Sequence, residues 1–314
     1  MTGTKSTIRI ASVQFPLGKI ERFEELEAQI ESYFKAAKES GADLLLFPEY
    51  FSLQLVGLIE ERKDEAKIFR EVAQHSPRVL DLFEHHAKSY GLYAVAGSLP
   101  VNENNQLFND SYLFTPDQIR LQQGKLNATS YERELLGMSC RDKLNLIDTE
   151  FGRIAINICY DIEFPEVSRA ATTEGARIIL VPSWTDDIQG FTRVRICARA
   201  RCIENHIYVV QSSVVGSLGR EPAVGNLYGQ SAILSPADGI FPVGGIIKEG
   251  TANQDDLVVA DLLVEQVLNP YADSHRRVGG RFPGSEDPHH EGDHDRDHQT
   301  GQRRPKPRRR SRQG

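Results

Sequence analysis

Two runs in the chain are apolar on both faces at once: Leu44-Leu45-Leu46-Phe47, and Ile154-Ala155-Ile156-Asn157-Ile158, interrupted only at Asn157. A strand with no polar alternation cannot lie half-exposed, so each run needs cover above and below. Helical periodicity supplies that cover. Phe23, Leu26, Ile30 and Phe34 recur at helical spacing between Glu21 and Ser40, and Gly41 ends the pattern. Further helices are predicted from about Asp64, with a fresh start at Ser76-Pro77, from Pro165 to about Thr173, and over Arg193–Asn205. Strands are predicted at Ile8–Phe15, Leu92–Leu99, Ala176–Pro182, Ile207–Ser213, Gln230–Leu234, Gly239–Val243 and Leu257–Leu262. Hairpins are predicted over Leu107–Leu126, around Thr115-Pro116-Asp117-Gln118, and over Leu144–Ile158. The alternation implies an α/β sandwich with strands inside and helices outside.

Composition sets the compartment and the end of the folded body. No apolar run approaches the roughly 20 residues a membrane helix needs. The first seven residues carry no signal-peptide core and lead straight into a strand, so the expected address is cytoplasmic. Cys140, Cys159, Cys197 and Cys202 suit a reducing compartment. Cys197 and Cys202 lie five apart on a predicted helix, roughly 140° around it, which is poor geometry for a shared metal. From Ser285 the composition changes to acidic and His-rich, then to Arg303-Arg304-Pro305-Lys306-Pro307-Arg308-Arg309-Arg310. Residues 1–284 are therefore read as the folded domain and 285–314 as a disordered tail. The net charge of −7, set against that basic end, leaves the body acidic and argues against a nucleic-acid groove in it. Weak, salt-sensitive contact between the tail and polyanions is the exception expected.

The chemistry converges on the ends of strands. Cys159 follows the apolar run 154–158 at a sharp turn, with Pro165 opening a helix beyond it, much as a nucleophile elbow presents its side chain. A helix N-terminus and a nearby cation would favour its thiolate. Glu49 ends the run that begins at Leu44, and Lys125 follows Leu121-Gln122-Gln123-Gly124 just before the irregular segment Asn127–Asp142. Taken singly each has an ordinary structural reading: a small buried thiol, a solvated strand end, a surface lysine. In an α/β sheet, however, strand ends distant in sequence meet at one site.

Together the motifs Phe47-Pro48-Glu49, Gly124-Lys125-Leu126 with Glu132-Arg133 beyond, and Cys159-Tyr160-Asp161-Ile162-Glu163-Phe164-Pro165-Glu166 resemble the nitrilase superfamily of carbon–nitrogen hydrolases. Pro182-Ser183-Trp184 and the stretch Arg199–Asn205 fit as well, so the resemblance covers about residues 7–275. It implies a four-layer α-β-β-α sandwich that pairs into homodimers, and a site of Glu49, Lys125 and Cys159 with Glu132 as a second carboxylate. The implied reaction is cleavage of a small-molecule amide through a thioester, without cofactor or metal. Glu49 serves as base, and Lys125 holds the oxyanion together with the Tyr160 N–H. Cys159-Tyr160-Asp161 resembles the amide-cleaving branches, whereas nitrile-cleaving members show Cys-Trp-Glu.

Glu163 stands where many amidases carry arginine, and some relatives add an acetyltransferase domain, which a first strand starting this early leads us not to expect. Trp184 is expected to line the pocket, and Arg193, Arg195, Arg199 and Arg201 to serve structure or dimer contacts. Substrate choice is expected from loops 186–192 and 217–226. Two rival readings share these residues: acyl transfer to an amine, and a non-catalytic interaction protein that keeps the fold.

Overall fold

The structure, a computed structural model, describes residues 5–60, 64–221 and 224–267; the tail from Ser285 and the boundary at residue 284 lie outside them. The first half contributes β1 (Thr7–Leu17), α1 (Phe23–Glu39), β2 (Leu44–Leu46), α2 (Glu65–Tyr90), β3 (Tyr93–Val95), β4 (Leu99–Glu103), β5 (Gln106–Phe114) and β6 (Arg120–Gly124). The second contributes β7 (Ile147–Thr149), β8 (Gly152–Ile156), α3 (Pro165–Thr173), β9 (Ala176–Ser183), α4 (Ile188–Asn205), β10 (Tyr208–Glu221), β11 (Val224–Leu227), β12 (Ala232–Leu234), β13 (Ile246–Glu249) and β14 (Asp256–Leu263).

Strand pairing arranges these elements in two layers. In one, β14, β1, β2, β3 and β5 are neighbours in that order, and β4 and β6 both pair with β5. In the other, β10, β9, β8 and β7 follow one another, with β12 beside β10. Among the described residues, strand pairing joins the layers only near one end of β1 and β10, where Gln14–Leu17 pair in parallel with Ser213–Gly216.

Side-chain alternation makes the layering work. Leu45 and Phe47 pack with Ile30, Phe34, Val72 and Phe83 of α1 and α2. Leu44 and Leu46, pointing the other way, share a core with Ile154, Ile156, Ile178 and Leu180, and through the second sheet with Val194 and Ala198 of α4. Helices thus cover the outer faces and the sheets face each other, an α-β-β-α sandwich. Leu44, Leu45 and Leu46 are all 0% exposed, each burial contributing about 1.5–3 kcal/mol as an upper estimate.

Local predictions fail where packing or turn chemistry wins. No new helix begins at Ser76. α2 runs unbroken through Pro77, capped at its start by Asp64, which accepts from the Lys67 N–H at 3.2 Å. Pro77 forfeits a helical hydrogen bond, a cost of about 3 kcal/mol. Buried Val72, Val79, Leu80 and Phe83 on both sides offset it, and the Ser76 hydroxyl donates to the Pro100 carbonyl at 2.7 Å. The expected strand 239–243 is a turn; Ser235 N–H bonds the Gly245 carbonyl at 2.9 Å and Val243 is fully exposed. α4 starts at Ile188, not Arg193, because Asp187 caps it by accepting from Gly190 N–H at 2.7 Å.

One close approach fixes where β2 ends. Gly97 has φ +53°, and a Cβ there would lie 1.8 Å from the Pro48 carbonyl oxygen. That contact lets Glu49 bridge to Ser98 beyond the formal strand. Gly97→Ala should therefore cost about 2–5 kcal/mol, left-handed strain plus overpacking. Gly175→Ala, at φ +96° with nothing within 4 Å, should cost only the strain, about 1–2 kcal/mol. Thermal melts of the two variants check this; equal losses would mean the Pro48 contact is not rigid.

Candidate active site

The strand ends converge as the sequence leads one to expect. Glu49, Lys125, Glu132 and Cys159 are brought together, exposed by 2%, 3%, 2% and 6%. Each arrives by a different local device. Glu49 extends β2 beside Ser98, and Tyr50 after it turns the chain with φ 53° while its N–H bonds the Ser98 carbonyl at 2.8 Å. Lys125 follows β6, its N–H bonding the Asn109 carbonyl of β5 at 2.8 Å. Glu132 sits in a single wide turn, Tyr131–Leu135. Its backbone N–H bonds the Thr129 hydroxyl at 3.2 Å, and its carboxylate takes the Thr129 N–H at 2.8 Å and hydroxyl at 3.0 Å. Cys159 opens the short 3-10 turn Cys159–Glu163 in the left-handed region, φ 44°. A non-glycine residue held there indicates backbone strain of the kind a nucleophile elbow stores.

The centre is a shared ammonium. Lys125 Nζ donates to Glu49 Oε1 at 2.8 Å and to Glu132 Oε1 at 2.7 Å. Burial alone would push the lysine down, but the carboxylates of Glu132 and Glu49 hold it well above its usual range. Burial also acts against an ionised Glu132, yet Lys125, the Thr129 N–H and the Tyr50 hydroxyl, at 2.7 Å, outweigh it and keep the carboxyl below its ordinary value. Glu49 goes the other way. Burial raises it, and the nearby Glu132 adds to that against the pull of Lys125. Two carboxylates at one cation thus divide into a fixed anion and a proton-accepting one.

The thiol departs from expectation. Cys159 is pushed well above the ordinary thiol range, first by burial and then by the Glu49 carboxylate, against Lys125. The helix α3 begins only after the whole 3-10 turn, so its N-terminus does not supply the help foreseen. The resting group is a thiol. It donates to the Trp184 carbonyl at 3.3 Å and interacts directly with Glu49.

Several partners escaped the reading of the sequence. Asn109 donates to Glu49 at 2.8 Å and to Glu132 at 3.2 Å; its signal was a polar Asn109-Asp110-Ser111 inside a buried strand. Asp161, fully buried, accepts from the N–H groups of Leu126 at 3.3 Å, Asn127 at 2.8 Å and Ile158 at 3.2 Å. It ties the lysine loop to the cysteine turn, and burial, opposed by Lys125 and those donors, pushes it up to about 6. Trp184 lines the site as expected, but its main chain matters as well: its N–H donates to Glu49 Oε2 at 2.9 Å.

The group forms the floor of a cavity of about 670 Å³ whose walls include Tyr50, Glu65, Phe69, Tyr131, Trp184, Asp186 and Arg193. Tyr160 and Glu163 line an adjoining lobe of about 200 Å³ that shares Cys159 and Trp184, and the Tyr160 ring packs edge-on against Phe164. Arg193 reaches Glu163 at 3.6 Å and so serves the cavity, while Arg195 and Arg201 are structural, bonding Gln211 and the Ile162 carbonyl. Among the described residues no cluster of His, Cys, Asp and Glu could hold a metal.

A family model for carbon-nitrogen hydrolases matches residues 9–267. A probable hydrolase of Bacillus subtilis, YhcX, is 39% identical over 82% of this chain, which spans about 50% of YhcX. An omega-amidase of Xenopus laevis is 24% identical over 74% of this chain and 83% of its own length. Among solved structures, an amidase of the nitrilase superfamily from Nesterenkonia superposes with a TM-score of 0.67 at 25% identity, covering 86% of this chain and 97% of that one.

The lysine geometry separates Glu132 from its neighbour Glu134, which is exposed. Glu132→Gln keeps the shape but removes the charge beside Lys125, and hydrolytic turnover should fall by a factor of about 10² or more. Glu134→Ala should stay within about 0.5 kcal/mol in stability and show near-normal turnover. Steady-state rates and melts for both variants decide it; the reverse ranking would mean that Glu134 is the second carboxylate.

Proposed function

The chain belongs to the carbon–nitrogen hydrolase family of the nitrilase superfamily, and from that premise we propose that it hydrolyses small linear amides through a cysteine thioester. The observation that carries the reading is the buried contact of Lys125 with both Glu49 and Glu132, beside the Cys159 thiol, on the floor of one cavity. An amide carbon is a weak electrophile, and covalent catalysis divides its hydrolysis into two easier steps. Glu49, raised toward neutrality by burial and in contact with the thiol, takes the proton as sulfur attacks. The oxyanion forms against the Lys125 ammonium and the Tyr160 N–H. Glu49 returns the proton to the leaving amine and then draws one from the water that opens the thioester. Glu132 keeps Lys125 charged and placed throughout.

The resting thiol suits this sequence. A permanent thiolate beside Glu49 and Glu132 would put three anions around one cation in a dry pocket. Delivering the proton to Glu49 only as the C–S bond forms avoids that state.

A homodimer and a cytoplasmic setting complete the proposal. On α4, Ile196 and Ile203 are 59% and 57% exposed, and seven residues, about two turns, place them on one face. No helix among the described residues is long and apolar enough to cross a membrane, and a reducing compartment would keep the nucleophile free.

Cys159→Ala should lower ammonia release from a panel of short amides by a factor on the order of 10³ or more with its melt near that of the parent. Intact-mass measurement during turnover should find an acyl adduct in the parent and none in the variant; normal turnover by the variant would falsify the nucleophile assignment. Ile196→Glu combined with Ile203→Glu should shift sedimentation from dimer to monomer. A parent that already sediments as a monomer would remove the dimer from the proposal.

A further inference from the structure

The walls of the cavity carry a charge that the chemistry of its floor does not need. On the floor, Glu49 and Glu132 share Lys125, which leaves one negative charge. Arg193 is matched by Glu163 at 3.6 Å. Among the described residues that line the cavity, Glu65 and Asp186 remain. Glu65 accepts from the Tyr131 hydroxyl and Asp186 from the Trp184 indole N–H at 2.9 Å. Both donors are neutral and bring no countercharge. Glu65 also stands in the first turn of α2, where the helix favours an anion.

The uncharged part of the wall points the same way. Tyr50, Phe69, Tyr131 and Trp184 line the same cavity as Cys159 and those two carboxylates, and Tyr50 packs edge-on against both Phe69 and Trp184. Aromatic faces attract cations and repel anions. A carboxylate-bearing amide would meet two like charges, with Arg193 shared with Glu163 at 3.6 Å, whereas an ammonium would meet the carboxylates of half-buried Glu65 and exposed Asp186 beside aromatic faces.

We propose that this cavity selects amides whose far end carries an ammonium or amidinium group, held by Glu65 and Asp186 while the amide reaches Cys159. The proposal rests on the amidase reading for its substrate class, but the selection itself is a property of the cavity and can be measured apart from turnover.

The first measurement is the rate at which Cys159 of the full chain reacts with methanethiosulfonates of matched size. One bears an ethylammonium and the other an ethylsulfonate, and both are followed by mass spectrometry of the Cys159 peptide. Exposed Cys140 in the same chain is the internal reference. The cation-to-anion rate ratio at Cys159 should exceed that at Cys140 at least tenfold and shrink as salt is raised. Glu65→Gln and Asp186→Asn should each lower the Cys159 ratio about five- to tenfold. A ratio equal to that of Cys140, or one that neither variant changes, overturns the proposal.

The second measurement compares kcat/KM for 4-aminobutanamide, pentanamide and 4-carbamoylbutanoate. The expected order is cationic, neutral, anionic, and the cationic-to-neutral ratio should fall in both variants. A flat or reversed order overturns the substrate assignment. If none of the amides turns over while the labelling ratio holds, the cation-selecting cavity stands and the amidase reading falls.

Discussion

One ammonium held between two buried carboxylates sets the terms for everything around it. Removing an ion from water costs several kcal/mol even after relaxation, and a buried pair is tolerated only when the remaining polar atoms are satisfied. The fold meets that demand from many directions. Asn109 reaches in from β5, Tyr50 from the turn after β2, Thr129 from the loop beyond Lys125, and the Trp184 N–H from the end of β9. The elements that make up the sandwich therefore end at one place for an electrostatic reason as well as a topological one. Loss of a single charge would leave its partners buried and unbalanced, so the site and the stability of the fold are coupled.

Burial and charge together explain the protonation state of Cys159. The sequence read alone suggests a thiolate, because a helix N-terminus and a lysine are both expected beside it. Burial changes the sum. It acts first, the Glu49 carboxylate adds to it, and Lys125 opposes them only in part, so the neutral thiol is favoured. In the proposed mechanism Glu49 is then the group on which proton movement turns.

Legibility followed the range of the interaction. Strands apolar on both faces, the hairpin across Thr115–Gln118 and the helix ending before Gly41 were readable because periodicity and turn chemistry are local. Glu49, Lys125 and Cys159 each stand at a strand end, but one by one they read as ordinary residues, and the resemblance carried by their motifs as a set is what singles them out. The failures were contests between local preference and packing. Pro77 argues for a helix start until Val72, Val79 and Phe83 are seen to bury on both sides of it. Asn109 and Asp161 look like ordinary polar residues because most of their partners lie far away in sequence, from 23 to 60 residues for Asn109 and 34 to 35 for the loop partners of Asp161, with only Ile158 close by. No pattern along the chain encodes a hydrogen bond of that reach.

Trp184 divides its labour in a way that bears on how such a protein can change. Its peptide N–H bonds Glu49 and its carbonyl accepts from Cys159, while its indole forms part of the wall. The bonds to the reacting groups belong to the backbone, which every residue type other than proline can supply. The indole alone is a matter of side-chain identity. Mutation at this position can therefore redraw the pocket while leaving the backbone bonds to Glu49 and Cys159 in place, so that the wall can vary while the floor holds still.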